Sequence, residues 1–185
     1  MSGIKYSLRQ ESTSFSIGTT NLRSSNGSLI DTNGCVALLV LSGFAVATIN
    51  FEKRILRKGD FVLLFYDSTF SMLSISAAFS VRYVSFAYHL IEEAIYKPLS
   101  INFWNTIYSN PVFRPNERDF KLLVEWWYQM EWVNNIKDYD YQEEILKNNI
   151  RNLLVATDIE IMDHAGDSLR NSRGHASVSY THLRA

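Results

Sequence analysis

The hydrophobic pattern of the first half of the chain is typical of short strands separated by turns. Apolar, β-branched and aromatic runs recur about every 8–12 residues. Turn signals such as Ser42-Gly43 and Lys58-Gly59-Asp60 lie between them. This spacing favours a sandwich or a barrel, in which the sheet edges are closed or paired. The predicted strands span residues 14–17, 35–41, 44–51, 61–66, 72–76 and 81–89.

The second half changes to a helical pattern. Residues 90–97 predict a short helix that stops before Pro98, and residues 100–108 predict a second one. A longer helix follows Asn116, a typical capping residue, and is expected to end at Asn134 or Asn135. Its apolar stripe has helical spacing and consists of Phe120, Leu123, Val124 and Trp127.

The last predicted helix runs from Tyr141 to about Met162 and supplies the candidate dimer contact. A short connection makes the two long helices antiparallel neighbours. Two wide apolar stripes exceed what one hairpin and a small barrel can cover, so we predict a homodimer that forms a four-helix bundle. The alternative is a hairpin that lies wholly on its own barrel. The predicted dimer residues are Leu146, Ile150, Leu153, Leu154, Thr157 and Ile161.

These patterns divide the chain into four parts. Residues 1–33 are an N-terminal arm with short strands, 34–98 the β-barrel, 99–163 the helical dimerisation segment and 164–185 a tail. The tail lacks apolar periodicity, so we expect it to be disordered. Its end, residues 178–185, resembles a translated adaptor fragment. We therefore expect an artefactual tail on a truncated chain, with the true gene product diverging before Val178.

Composition excludes several classes of protein. The 185 residues carry a net charge of −1, which argues against a chain whose main role is to grip phosphate backbones. The acidic part is 116–163, with eleven Asp and Glu against five Lys and Arg. A single cysteine excludes a disulfide framework and a Cys-rich zinc site. Neither a membrane span nor a signal peptide is recognisable, so we expect a cytoplasmic protein without a membrane partner.

The sequence offers no catalytic constellation. A nucleophile elbow and a phosphate-binding glycine loop are both missing. His89 lacks partners at ligand spacing, Glu92 and Glu93 point in different directions on a helix, and Cys35 is interpreted as a buried structural thiol. We expect no catalytic residue, no metal and no cofactor.

Two adjacent tryptophans on the first long helix leave two interpretations open. Trp126 and Trp127 point about 100° apart on a helix, so they cannot both lie at the centre of one face. We expect Trp127 in the core and Trp126 packed on the barrel or on a neighbour. A ligand site at these residues is the alternative.

Several segments, taken in order, resemble the N-terminal sensor domain of AraC-type transcription regulators. They are the strand into Ser42-Gly43, the turn and apolar strand within 51–64, Asn110-Pro111-Val112-Phe113 before the hairpin, and 141–146 at the start of its second helix. The likeness covers about residues 30–163. It rests on the order of the segments, since no single motif is specific.

The resemblance implies an α+β protein with a cupin-like antiparallel β-barrel for effector sensing and a helical hairpin for dimerisation. It also implies a DNA-binding domain with two helix-turn-helix motifs, but nothing after Met162 looks like a recognition helix. DNA binding is therefore expected only of a longer parent. Enzymatic cupins hold a metal with clustered histidines, and His89 is the only histidine before residue 164.

We thus predict the effector-sensing and dimerisation domain of an AraC-type regulator, without enzymatic activity. The alternatives are a cupin-type metalloenzyme and a non-catalytic protein that binds small molecules. The sequence assigns neither the effector nor the residues that bind it.

Overall fold

The fold is α+β, with two antiparallel sheets and four helices in residues 5–25 and 27–179, the part of the chain that the computed structural model describes. Side chains are described as far as residue 163. The strands are β1 (Phe15–Thr20), β2 (Cys35–Ser42), β3 (Phe44–Ile49), β4 (Glu52–Arg57), β5 (Phe61–Phe65), β6 (Phe70–Ile75), β7 (Ser80–Phe86) and β8 (Val112–Phe113). The larger sheet has the order β1-β7-β2-β5-β8, and the smaller sheet has the order β4-β3-β6.

Strand β2 is apolar along most of its length because neighbours cover both of its faces. Cys35, Ala37 and Leu39 belong to a buried cluster shared with the helices, which we call the helix-side core. Val36 and Leu38 belong to a second cluster shared with the smaller sheet, the inter-sheet core. Alternate residues of a strand point to opposite faces, so a continuous apolar run fits a strand buried on both sides. The molecule therefore has three layers, with the larger sheet in the middle.

The predicted strands of the first half are confirmed, but their pairing differs from the single closed barrel that was expected. The hydrogen bonds of the described strands form two separate sheets. Strand β4, for which the sequence predicts no element, pairs with β3 from Phe44 opposite Arg57 to Ile49 opposite Glu52. The connecting residues Asn50 and Phe51 both have positive φ, as a two-residue hairpin turn requires.

Both short helices and both long helices are confirmed, with shifted ends. They are α1 (Tyr88–Ala94), α2 (Phe103–Ser109), α3 (Glu117–Asn134) and α4 (Tyr139–Ser179). The predicted cap forms at Asn116, whose side-chain oxygen accepts from the backbone N–H of Asp119 at 3.0 Å. His89 was expected at the end of a strand and lies in α1 instead, since β7 ends at Phe86. No helix among the described residues is long and apolar enough to cross a membrane.

Helix α4 is longer than the sequence predicts. Its backbone continues to Ser179, so the expected disordered tail is helical over residues 164–179. The segment contains no proline, and every backbone N–H can therefore join the helical hydrogen bonds. The rest of the predicted tail, 180–185, lies outside the described residues.

The apolar row of α4 packs inside its own chain, which corrects the predicted dimer contact. Leu154 is fully buried, and all of Leu146, Ile150, Leu153, Leu154, Thr157 and Ile161 are buried. All but Thr157 belong to the helix-side core, beneath the larger sheet. A buried side chain has almost no surface to offer a second chain. The row therefore stabilises the monomer fold, and a dimer would have to use another surface.

Helix α1 is joined to α4 by charged groups at the surface. Lys147 Nζ lies 2.6 Å from Glu93 Oε2, and the hydrogen bond that it donates holds the pKa of the Glu93 carboxyl below its ordinary value. His89 Nε2 lies 3.7 Å from Glu143 Oε1, which also accepts from Ser14 Oγ at 3.0 Å. These contacts connect α1, α4 and the residue before β1.

At Gly34, just before β2, the backbone passes close to the backbone of Phe86, at the end of β7. The φ of Gly34 is 104°, and a Cβ there would overlap the carbonyl oxygen of Phe86. Gly59 also has positive φ, at 91°, but open space surrounds its Cβ position. We expect Gly59→Ala to cost about 1–2 kcal/mol for the backbone conformation alone. Gly34→Ala should cost more, because the backbone must also move. Urea unfolding of both variants measures the difference, and equal losses would contradict the close packing.

Candidate functional site

The residues considered for catalysis occupy ordinary structural positions. Cys35 is buried, and burial raises the pKa of its thiol far above the ordinary value, so it is an inert thiol of the helix-side core as predicted. The side chain of His89 is half exposed beside Glu143. In the described part of the chain, no group of three or more His, Cys, Asp or Glu could hold a metal ion.

The tryptophan pair follows the predicted packing rather than forming a ligand site. Trp127 is fully buried against Phe61, with a ring-centroid distance of 6.2 Å. Trp126 packs on Phe86 of the larger sheet and donates from its indole nitrogen to the carbonyl of Asn149 at 3.3 Å. Both rings therefore serve the contact between α3, α4 and the sheet.

A cleft of about 710 Å³ opens where the edge strands β4 and β8 of the two sheets face each other. Strand β4 forms one wall, while α2, β8, α4 and the residues that follow α2 and β8 supply the rest. We call it the basic cleft, because four of its ten lining side chains are cationic. The lining residues are Lys53, Arg54, Ile55, Arg57, Thr106, Asn110, Val112, Phe113, Arg114 and Ile161.

No acidic side chain of the described residues lines the basic cleft. Two carboxylates lie beside it. Glu52 pairs with Arg54 at 2.5 Å, and the buried Asp60 lies 3.4 Å from Arg114 while it accepts from the backbone N–H of Arg57 at 2.8 Å. The four cations outnumber these two carboxylates, so the lining attracts anions.

Arg54 is the cation that reaches farthest into the fold. It lies opposite the buried Ala47 and on the same strand face as the buried Leu56, so its side chain points toward the inter-sheet core. Only 29% of the side chain is exposed. Arg54 Nη2 donates to the carbonyl of Ser109 at 2.8 Å, and Arg54 Nε is buried with no hydrogen-bond partner among the described residues.

The apolar part of the lining joins the basic cleft to both cores. Val112 packs against the inter-sheet core, and Phe113 packs against the helix-side core. Ile161 brings helix α4 to the same cleft. Cations beside an apolar lining suit a ligand that has a negatively charged group on an apolar body.

A second, larger cleft of about 1110 Å³ lies under the N-terminal arm and beside β1. Its lining mixes both charge signs, with Lys5 and Arg9 against Glu11 and Asp31. The Arg9 guanidinium already donates to the backbone carbonyls of three arm and loop residues, Gln10, Thr13 and Asn33. Those bonds make Arg9 part of the scaffold. We therefore take the basic cleft as the better candidate site.

The sequence could have shown one signal of this site. Residues 52–58 carry four Lys and Arg around Ile55 and Leu56, which is a common composition for an edge strand that must avoid pairing. That signal places β4 at an edge. It does not place Thr106, Phe113 and Ile161 opposite β4, because those contacts depend on the tertiary fold.

Comparison with known proteins finds similarity in structure only. No protein-family model matches the sequence, and no curated protein matches it either. Among solved structures, an apo variant of ToxT from Vibrio cholerae matches with 16% sequence identity and a TM-score of 0.53, over 82% of this chain and 58% of that chain. ToxT bound to an unsaturated fatty acid matches with 17% identity and a TM-score of 0.46, over 78% and 55%.

The AraC-like transcriptional activator CuxR matches with 17% identity and a TM-score of 0.38, over 78% of this chain and 48% of that chain. The chain thus spans little more than half of ToxT. The match to apo ToxT carries the conclusion about the fold. This chain shares its fold with about 58% of the ToxT chain, which is consistent with the resemblance of its sequence to AraC-type sensor domains.

Proposed function

We propose that this chain is the effector-sensing domain of an AraC-type transcription regulator and that the basic cleft binds the effector. The β region is then a cupin-like sandwich that carries the cleft at its open edge. The observation that supports this proposal is a cleft with four cations and no acidic side chain in its described lining, at a position where both sheets and two helices meet. The domain senses rather than catalyses.

The lining also indicates the class of effector. A volume of about 710 Å³ lies within the range of small-molecule sites, which is roughly 300–1,000 Å³. The cations select for a negative charge, and Val112, Phe113 and Ile161 favour an apolar body. A carboxylate on an aliphatic or aromatic body meets both requirements. ToxT has been solved with an unsaturated fatty acid, which is a molecule of this kind.

Regulation by such an effector would act through the helices. Ile161 and Thr106 place α4 and α2 in the wall of the cleft, so an occupied cleft changes the packing of the sheets against both helices. A ligand shifts a conformational equilibrium only when it binds the two states with different affinity. We propose that this shift is passed to a DNA-binding domain in a longer cytoplasmic parent.

A homodimer remains part of the proposal, on a surface other than the buried row of α4. Exposed apolar side chains on the long helices are available for it, among them Leu122 and Trp132 on α3 and Met162 on α4. A symmetric pair of such surfaces is the commonest way in which two copies of one chain associate.

Titration calorimetry with decanoate tests the proposed site. Ile55→Glu adds a negative charge at the rim of the basic cleft, and we expect it to weaken decanoate binding about tenfold, since a like charge a few ångströms away costs about 1–4 kcal/mol. Leu73→Glu is the matched control. Leu73 and Ile55 are both 47% exposed on the smaller sheet, but Leu73 does not line the cleft.

Decanol, which has the same chain without the charge, should bind more weakly than decanoate. Binding of decanoate should also weaken as salt is added. Decanoate that fails to bind, or that binds both glutamate variants equally, would contradict the site.

A further inference from the structure

Arg54 connects the basic cleft to helix α2. Its Nη2 atom donates both to Glu52 on its own strand, at 2.5 Å, and to the carbonyl of Ser109 at the last residue of α2, at 2.8 Å. Strand β4 and helix α2 are far apart in sequence, so this guanidinium is a direct polar link between the two elements. Any ligand that takes an N–H of Nη2 must compete with one of these acceptors.

The same guanidinium has one N–H group, at Nε, that makes no hydrogen bond to the described residues. Arg54 Nε is buried and has no hydrogen-bond partner among the described residues, although a buried donor without a partner is unfavourable. A carboxylate binds a guanidinium best through two parallel N–H bonds, and Nε together with Nη2 forms one of the edges that allow this. A carboxylate at that edge satisfies Nε and takes one of the two N–H groups of Nη2. Nη2 then keeps only one of its two acceptors, and the neutral carbonyl of Ser109 is the weaker one, because a bond to the charged carboxylate of Glu52 is stronger.

We expect helix α2 to respond to the loss of the hydrogen bond between Arg54 and the carbonyl of Ser109. It has only seven residues, too few to be stable without tertiary contacts. The carbonyl of its last residue, Ser109, lies beyond the hydrogen bonds of the helix, and Arg54 satisfies it. A second side-chain hydrogen bond reaches the neighbouring carbonyl, because Asn50 Nδ2 donates to the carbonyl oxygen of Tyr108 at 2.7 Å. Releasing Ser109 removes one of the two side-chain hydrogen bonds that Arg54 of β4 and Asn50 before it make to the end of α2.

We infer that Arg54 is the residue through which effector binding reaches helix α2. In the empty cleft, Arg54 ties β4 to the end of α2. A bound carboxylate takes Nε and Nη2, and the last turn of α2 loosens just before β8. This inference rests on the proposed function and adds to it a specific positioning residue and a route of coupling.

Hydrogen exchange of the peptide 103–110, measured with and without decanoate, tests the coupling. In the wild-type chain, decanoate should speed exchange in this peptide. Arg54→Gln removes the positive charge and the two parallel N–H donors of the guanidinium. We expect it to weaken decanoate binding about tenfold, as for the loss of a hydrogen bond to a charged group, and to speed exchange before decanoate is added. Decanoate should then produce no further change.

Glu52→Gln gives a prediction of opposite sign, which holds even if the Arg54 variant fails to fold. Removing the competing carboxylate should tighten decanoate binding by about threefold or more. Arg54→Lys keeps the positive charge but loses the two parallel N–H donors, so it should bind decanoate more weakly than the wild type and more tightly than Arg54→Gln.

Two results overturn the inference while the proposed site stands. One is decanoate binding, sensitive to Ile55→Glu, that leaves exchange in 103–110 unchanged. The other is unaltered affinity in Arg54→Gln or in Glu52→Gln. A wild-type chain that does not bind decanoate at all overturns both the site and the coupling.

Discussion

Replacing Trp127 with alanine is expected to lower the free energy of unfolding by about 3–5 kcal/mol. The indole is fully buried in the helix-side core, where it meets Phe61 edge-on and lies 5.1 Å from the ring of Trp126. Alanine would leave a cavity that neighbouring aromatic side chains cannot fill without moving. The midpoint of urea unfolding, followed by circular dichroism, measures the loss.

Trp132→Ala is the matched control on the same helix. Trp132 is 61% exposed, so its truncation should change stability by no more than about 0.5 kcal/mol. Losses of equal size at Trp127 and Trp132 would contradict the orientation of α3 against the larger sheet.

Leu154→Asp is expected to abolish the stable fold, with a cost above about 4 kcal/mol. Leu154 is fully buried within the helix-side core, and a carboxylate there would have no counter-ion in the apolar cluster. If the row of α4 contacted a second copy instead, the same change would give a folded monomer. Circular dichroism and light scattering on one sample distinguish these outcomes.

The control for that change is Ile159→Asp, five residues further along α4. Ile159 is 48% exposed, so the new carboxylate stays in water and the chain should fold normally. A Leu154→Asp protein that unfolds at the wild-type temperature would show that the row is a partner surface after all.

Much of the fold could be predicted because its signals are local. The apolar run of β2 is bounded by turns, and the apolar stripe that ends at Trp127 repeats with helical spacing. Asn116 caps α3 because a capping side chain needs only the next few backbone N–H groups. These elements form where the sequence predicts them.

The basic cleft could not be predicted in the same way. Strand β4 carries too many charges to look like a strand, and it is one because β3 pairs with it. Arg54 meets Ser109, which lies 55 residues later in the chain. The sequence pattern around Arg54 does not indicate a contact with Ser109, and the pattern around Ser109 does not indicate one with Arg54. Only the tertiary structure therefore reveals the site.

The sequence alone determined most of the strands, the four helices apart from their ends, and which face of each long helix is apolar. The tertiary structure alone decided that the strands form two sheets, that the row around Leu154 covers its own sheet, and that cations gather opposite β8. The physical reason is that periodicity and capping depend on residues a few positions apart. What an apolar face or a cation meets depends instead on contacts between distant segments, and these are fixed only when the layers pack together.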